Sequence, residues 1–238
     1  MLLSVITINL NNLEGLKKTY NSLMPLFNDT RVEWLFIDGD STDGSQKFVL
    51  ESGKAAYQSS EKDNGIYDAM NKGLQASKAN FVWFLNSGDE AINVNYLLQE
   101  LESSTSTDIL FFGWQQYTLG KLSTYRAKPK WYIKHSLPTR HQSIIYGKKE
   151  AQKIIYDLKY PVAADYAFTA TIMASQLTRI KSIDFPISIF DTTGFSSNRS
   201  RQTAQEAWRI QREILKLPSI FRIISLVIKS RNFWKDFS

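Results

Sequence analysis

The 238-residue chain contains no cysteine. Disulfides, thiolate metal sites and cysteine nucleophiles are thereby excluded, and a reducing compartment such as the cytoplasm suits it. The 2 histidines, His135 and His141, are too few and too plainly spaced for a zinc site. No apolar run approaches the ~18–20 residues that span a bilayer. Met1-Leu2-Leu3-Ser4-Val5 carries no basic segment, so it reads as a first strand and not as a secretory signal. Internal repeats and low-complexity tracts are absent as well. The hydrophobic share of 43%, with 13% aromatics, is ample for a packed core, and the length fits one domain with an elaborated tail.

Net charge is nearly balanced in the body and concentrated at the end. Residues 201–238 hold eight bases and three acids, so nearly all of the net charge of +6 belongs to that segment. Within it Ile220, Ile223, Ile224, Val227 and Ile228 recur at helical spacing, ringed by Arg222, Lys229, Arg231 and Lys235. The pattern fits a basic amphipathic helix lying on an anionic membrane surface, and equally a packing helix with a solvated basic face. The bases carry no recognisable docking motif for nucleic acid, so no such partner is expected.

What is present in the first half is an alternation of strand and helix patterns. Leu2–Ile8, Val32–Ile37, Ala56–Ser59, Phe81–Leu85 and Ile109–Phe112 read as strands. Between them come helices from Asn12, over Ser45–Ser52, Ile66–Ser77 and Val94–Leu101. That order predicts an α/β fold, a doubly wound and mostly parallel sheet with flanking helices. The second half is less regular. Helices are expected over Gly147–Leu158 and Ala164–Ser175, and strands over Arg179–Asp184 and Ile187–Phe190 joined through Pro186. A Gly/Ser/Asn loop over Thr192–Ser200 follows, then helices over Thr203–Lys216 and from Pro218 to about Lys229. The implied division is a domain over 1–200, with halves 1–112 and 113–200, and a helical tail over 201–238.

Two apolar strands stop at acids. Ile37-Asp38-Gly39-Asp40-Ser41-Thr42-Asp43 ends the second, and Leu85-Asn86-Ser87-Gly88-Asp89 ends the fourth. Such ends place carboxylates at the carboxyl edge of a sheet, where open α/β folds bind ligands. Three acids within six residues, led by Asp38, need a cationic or hydrogen-bonding partner, although Asp43 alone reads as a helix cap. Asn86 and Asp89 are oxygen donors at a spacing that suits a hard divalent cation completed by diphosphate oxygens, or an ordinary Asx turn. Asp165 opens an apolar helix, where an acid is commonly a cap. His141 and Gln142 either line an acceptor pocket or satisfy a loop.

Together these residues resemble the family 2 glycosyltransferases of GT-A fold. The resemblance rests on Ser4-Val5-Ile6-Thr7 with Asn11, on Ile37 to Ser45, on Asp63-Asn64-Gly65-Ile66-Tyr67-Asp68-Ala69-Met70-Asn71-Lys72-Gly73, on Phe84 to Asp89, and on Asp165. It covers about residues 1–195, is specific in the first 90, and looks closest to the bacterial branch that builds capsule, exopolysaccharide or lipopolysaccharide. The resemblance implies a nucleotide-sugar donor, UDP-sugar favoured, bound by Asn9, Asp38, Asp40, Asp63 and Asn71. It implies a divalent metal, Mg or Mn, at Asp89 and Asn86. Asp165 would be the base that activates an acceptor hydroxyl on a glycan or lipid-linked acceptor, with inversion at the anomeric carbon. Localisation would be cytoplasmic, with a peripheral place on the inner face of the membrane open to the tail. One departure stands out: the family's Asp-x-Asp is Asn86-Ser87-Gly88-Asp89 here, short of one to two charges. A sugar-phosphate nucleotidyltransferase would call for a Gly-rich basic loop near the first strand, and Ile8-Asn9-Leu10-Asn11-Asn12 has neither glycine nor lysine. A non-catalytic glycan- or membrane-binding subunit with a degenerate metal site is the remaining alternative.

Overall fold

The computed structural model describes residues 1–118, 120–174, 178–190 and 200–235. Strand β1 (Leu3–Asn9) is buried along its whole length, and helix α1 (Leu13–Leu23) follows it. Asn12 caps α1 by accepting the Gly15 N–H at 3.1 Å. Then come β2 (Val32–Asp38), α2 (Ser45–Ser52), β3 (Tyr57–Ser60), α3 (Ile66–Ala76), β4 (Phe81–Phe84), β5 (Glu90–Ala91) and α4 (Val94–Glu102). The second half holds β6 (Ile109–Thr118), β7 (Lys121–Tyr125), β8 (Ile144–Gly147), α5 (Lys148–Ala151), α6 (Ala164–Met173), β9 (Ile180–Phe190), α7 (Ser200–Glu213) and α8 (Ser219–Lys235).

The strands form a single sheet in the order β3-β2-β1-β4-β8-β6-β9-β5, with β7 paired to β6. The β3-β2-β1-β4 block is parallel, as the alternating pattern predicts. Antiparallel pairs then attach β8 to β4 and to β6, while β9 runs parallel to β6. Because side chains alternate across a strand, each central strand serves two cores. Leu3, Val5, Trp34, Phe36, Phe81 and Trp83 face α1, α2 and α4. Ile6, Ile8, Leu35, Ile37, Val82 and Phe84 face α3, α6 and α7.

The second half departs from the sequence expectations in four places. The helix expected over Gly147–Leu158 is confined to Lys148–Ala151, and a strand not foreseen, β8, ends at Gly147. The chain beyond α5 is claimed by tertiary contacts, since Asn71 binds both backbone groups of Tyr156 at 2.7 and 3.0 Å. The two strands expected around Pro186 are one strand, with a register irregularity where Gly113 meets Pro186. The stretch Lys121–Lys134 includes a strand not foreseen, β7, which pairs antiparallel with β6. Finally, the expected tail divides in two. Ala207 and Ile210 of α7 are buried in the core, so α7 packs with the body, and α8 rests on α7 through Ser225 and Arg222. The loop expected over Thr192–Ser200 lies, apart from Ser200, outside the described residues.

Gly73 sets the distance between α3 and the sheet. A methyl there would run into Cγ2 of Ile6 and approach Cγ1 of Ile37 at 3.3 Å. We expect Gly73→Ala to cost about 1–3 kcal/mol through overpacking, although alanine is the better helix former. A denaturation midpoint equal to or above the wild type's would contradict this close approach.

Candidate active site

The carboxyl ends of β1, β2 and β4 open into a cavity of about 1290 Å³. Its floor is built on Asp38, which is wholly buried at the end of β2. Asp38 accepts from Asn9 Nδ2 at 2.9 Å, from the Ser41 N–H at 2.8 Å and Oγ at 2.6 Å, and from Ser60 Oγ at 2.7 Å. Burial alone would raise its pKa, but the hydrogen bonds from Ser41, Asn9 and Ser60 outweigh it and hold the carboxyl below the usual range. Asp38 does not itself line the cavity. Its charge instead fixes the amide of Asn9 with Nδ2 inward, which leaves Asn9 Oδ1 buried without a partner on the cavity wall. Asp40, at a positive φ of 71°, and Asp63 complete the acidic edge. Asp63 is raised above the usual carboxylate range by burial, against the pull of Lys72, whose Nζ lies 2.6 Å away. Asp43 serves the fold, accepting the Leu13 N–H at 2.7 Å and the Ser45 N–H at 3.1 Å.

Asn71 has a different part from the one the resemblance implies. Both polar ends of its side chain are occupied by the Tyr156 backbone, and it does not reach the cavity. It positions the wall against which Tyr67 and Phe168 stack.

The turn after β4 is held by α1. Thr19 Oγ1 donates to the Asp89 carbonyl at 2.7 Å and accepts the Gly88 N–H at 3.0 Å, while Asn12 Nδ2 donates to the Ser87 carbonyl at 3.1 Å. Gly88 stands at φ 107°, a conformation that an aspartate would adopt only with strain. The missing acid is thus tied to the shape of the turn. Asp89 is buried to 3% exposure, and Asn86 Oδ1 and Ser87 Oγ beside it are buried without hydrogen-bond partners among the described residues. All three line the cavity. Their donors are hard oxygens with one carboxylate among them. They fit a divalent cation whose shell is completed by ligand oxygens, and not a cage built by protein alone. Among the described residues no group of three or more His, Cys, Asp or Glu could hold a metal.

Asp165 stands on the opposite wall, in the first turn of α6. It is not the cap of that helix. Glu206 of α7, buried, takes the Val162 and Ala163 N–H groups at 3.0 and 2.8 Å. The Asp165 carboxylate lines the cavity and itself accepts the first-turn Tyr166 N–H at 2.7 Å, with the Tyr67 hydroxyl 3.4 Å from the same Oδ1. Enclosure by the cavity walls raises its pKa to about 6. His141 also lines the cavity, but it is held between Phe84 and Tyr156, with Nε2 2.9 Å from the Tyr156 hydroxyl. Burial lowers its pKa to about 3, so it stays neutral. Gln142 is on the wall too, its carbonyl accepting the Trp83 Nε1–H at 2.8 Å. Thr19, Glu206 and Arg140, none of them singled out by the sequence reading, prove to shape the site, together with Tyr67 of the Asp63–Gly73 motif. Only the helical pattern around Thr19 carried any hint of the first three.

The sequence pattern described as Glycosyl transferase family 2 matches residues 4–168. Two uncharacterised glycosyltransferases of Mycobacterium tuberculosis strains, CDC 1551 and H37Rv, are each 32% identical over 205 residues, covering 82% of this chain and 77% of theirs. Among solved structures, Staphylococcus aureus TarS with UDP-GlcNAc superposes with a TM-score of 0.69 at 19% identity, covering 90% of this chain and 65% of that one. The mannosyltransferase PcManGT of Pyrobaculum calidifontis, with GDP-Man and Mn2+, gives 0.65 at 13% identity over 94% and 68%. Glucosyl-3-phosphoglycerate synthase of Mycobacterium tuberculosis, with Mn2+, UDP and glucosyl-3-phosphoglycerate, gives 0.60 at 14% identity over 91% and 81%. These likenesses meet the fold and the acid-edged cavity in one conclusion: the chain belongs to glycosyl transferase family 2 and is a nucleotide-sugar-dependent glycosyltransferase of GT-A fold.

Proposed function

We propose that the enzyme is an inverting glycosyltransferase that moves a sugar from a nucleoside diphosphate to a hydroxyl of a glycan or lipid-linked acceptor, in bacterial surface polysaccharide synthesis. The observation that carries this reading is Asp165, an enclosed carboxylate raised to about 6 that lines the same cavity as the acid-edged strand ends. A base with that pKa is ionised at neutral pH yet takes a proton more readily than an ordinary carboxylate. In the proposed reaction Asp165 removes the proton of the acceptor hydroxyl. The hydroxyl oxygen forms its bond to the anomeric carbon from one face as the bond to the diphosphate oxygen breaks on the other. The nucleoside diphosphate then leaves with the electron pair.

On this reading the nucleoside occupies the edge formed by Asn9, Asp40 and Asp63, above the buried Asp38. A uridine nucleotide is favoured, in keeping with the UDP-GlcNAc and UDP present in two of the similar structures. Asp89 and Asn86 would hold a divalent metal, Mg or Mn, and when bound it would supply positive charge to the diphosphate. His141 and Gln142 belong to the acceptor side as neutral wall and hydrogen-bonding groups. Family membership together with Asp165 argues for this enzyme over a non-catalytic subunit.

Helix α8 supports a peripheral membrane reading. Ile220, Phe221, Ile223, Ile224, Leu226 and Val227 are all exposed, while Ser225 and Arg222 turn toward α7 through Gln211 Nε2 at 2.9 Å and the Trp208 ring at 4.5 Å. An apolar face left uncovered on a basic helix matches the chemistry of an anionic lipid surface. No helix among the described residues is long and apolar enough to cross a membrane.

Two outcomes test the reading. Asp165→Asn should lower transfer by about 10²–10⁴-fold while nucleotide affinity stays within a few-fold. Wild-type kcat/KM should rise with pH through an apparent pKa of about 6, because the base works only when deprotonated. An equal loss of turnover and nucleotide affinity, or a profile flat from about pH 5 to 8, would remove Asp165 from this role. For the tail, deleting residues 218–238 should abolish sedimentation with phosphatidylglycerol vesicles. Undiminished sedimentation would show that α8 does not hold the membrane.

A further inference from the structure

The cavity that holds the carboxylate-poor Asn86–Asp89 turn also carries a base, Arg140, on its wall. Arg140 lies on the cavity wall with Asp89 and Asp165, and both carboxylates act on it through space and neither as a hydrogen-bond partner. Its guanidinium rests 4.6 Å from the centroid of the Phe190 ring. The backbone beneath it is pinned on both sides. Thr139 Oγ1 donates to the Phe112 carbonyl at 2.7 Å, His141 Nε2 meets the Tyr156 hydroxyl at 2.9 Å, and the Arg140 carbonyl accepts the Ser143 N–H at 2.8 Å. Arg140 is exposed to solvent at the cavity rim, and the walls beside it partly desolvate its charge. A cation placed there, held by a ring face and pinned backbone and with no carboxylate bound to it among the described residues, is poised for an anion that enters with the ligand.

The other bases of the region are placed differently. Lys72 is committed to Asp63 at 2.6 Å and to Glu61 at 2.9 Å. Lys62 adjoins Asp63 in sequence, and Lys128, whose N–H donates to the Pro138 carbonyl at 2.6 Å, also lines the cavity. Only Arg140 is coupled to the proposed base and to the Asp89 turn at once.

We propose that Arg140 is a catalytic residue of the transfer, binding the diphosphate of the donor and neutralising the negative charge that develops on it as the glycosidic bond breaks. The inference rests on the donor site proposed above. A guanidinium presents paired N–H donors that match phosphate oxygens, and it does so without a metal. It thereby makes up for the sparse carboxylates of the Asn86–Asp89 turn. The electron pair of the breaking C–O bond stays on the diphosphate oxygen, and Arg140 stabilises that oxygen through hydrogen bonds without taking a proton from or giving one to it.

The test is calorimetric, in EDTA-treated buffer, on the full chain. The nucleoside diphosphate among UDP, GDP, dTDP and CDP that binds wild type best is compared with its own nucleoside, on wild type, Arg140→Gln and Arg140→Lys. We expect Arg140→Gln to weaken the diphosphate by about 10- to 100-fold and the nucleoside by less than about twofold, with Arg140→Lys in between. Equal diphosphate affinity in Arg140→Gln and wild type would overturn the assignment. So would equal losses for nucleoside and diphosphate, which would mark a collapsed cavity wall. If wild type binds none of the diphosphates, with or without Mn2+, the donor site itself falls and this inference falls with it.

Discussion

The donor edge depends on one buried charge. Asp38 has no exposure and no cation beside it, so its stability is set by four hydrogen bonds from Asn9, Ser41 and Ser60. Those bonds join the ends of β1, β2 and β3. They also hold the amide of Asn9, whose Oδ1 is buried without a hydrogen-bond partner among the described residues, and they fold the chain through Asp40 at positive φ. A carboxylate at the carboxyl edge of a parallel sheet is thus an organiser here: it sets the neighbours that a ligand would touch without standing on the cavity wall itself.

The acceptor wall follows the same logic at longer range. Glu206 comes from α7 and takes the Val162 and Ala163 N–H groups just ahead of α6, while Asp165 takes the Tyr166 N–H of its first turn. Two acids from different helices thus share the backbone donors around the start of α6. The arrangement ties α7 to the body, where Ala207 and Ile210 are buried. Between the two walls the Asn86–Asp89 turn, shaped by Thr19 and by the positive φ of Gly88, leaves little room for a dense acidic cluster.

The first 112 residues were legible because each strand or helix carries its own signal. Asn12, Asp43 and Gly73 act locally or against neighbouring elements, and the apolar runs alternate in a parallel block. Asp38, Asp63, Asp89 and Asp165 were visible as acids at element ends, and the fold gathers the last three on one cavity and buries the first beneath it. What could not be read was pairing between distant segments. The four residues of β8 become a strand by fitting between β4 and β6. The helix expected after Gly147 yields to the grip of Asn71 on Tyr156, 85 residues away in sequence. Arg140 has no local signature at all, since its meaning comes from Asp89, Asp165 and Phe190.

The central claim is that the carboxyl edge of β1, β2 and β4 binds a nucleoside diphosphate with Asp89 at its phosphate end. The most direct measurement is the thermal stability of wild type and Asp89→Ala with UDP, GDP, dTDP or CDP, each with and without Mn2+. A ligand that binds only the folded state raises its stability. The account predicts that one nucleotide raises the wild-type midpoint, more strongly with Mn2+, and that Asp89→Ala loses the Mn2+-dependent part. No rise with any nucleotide, or a rise untouched by Asp89→Ala, would contradict it.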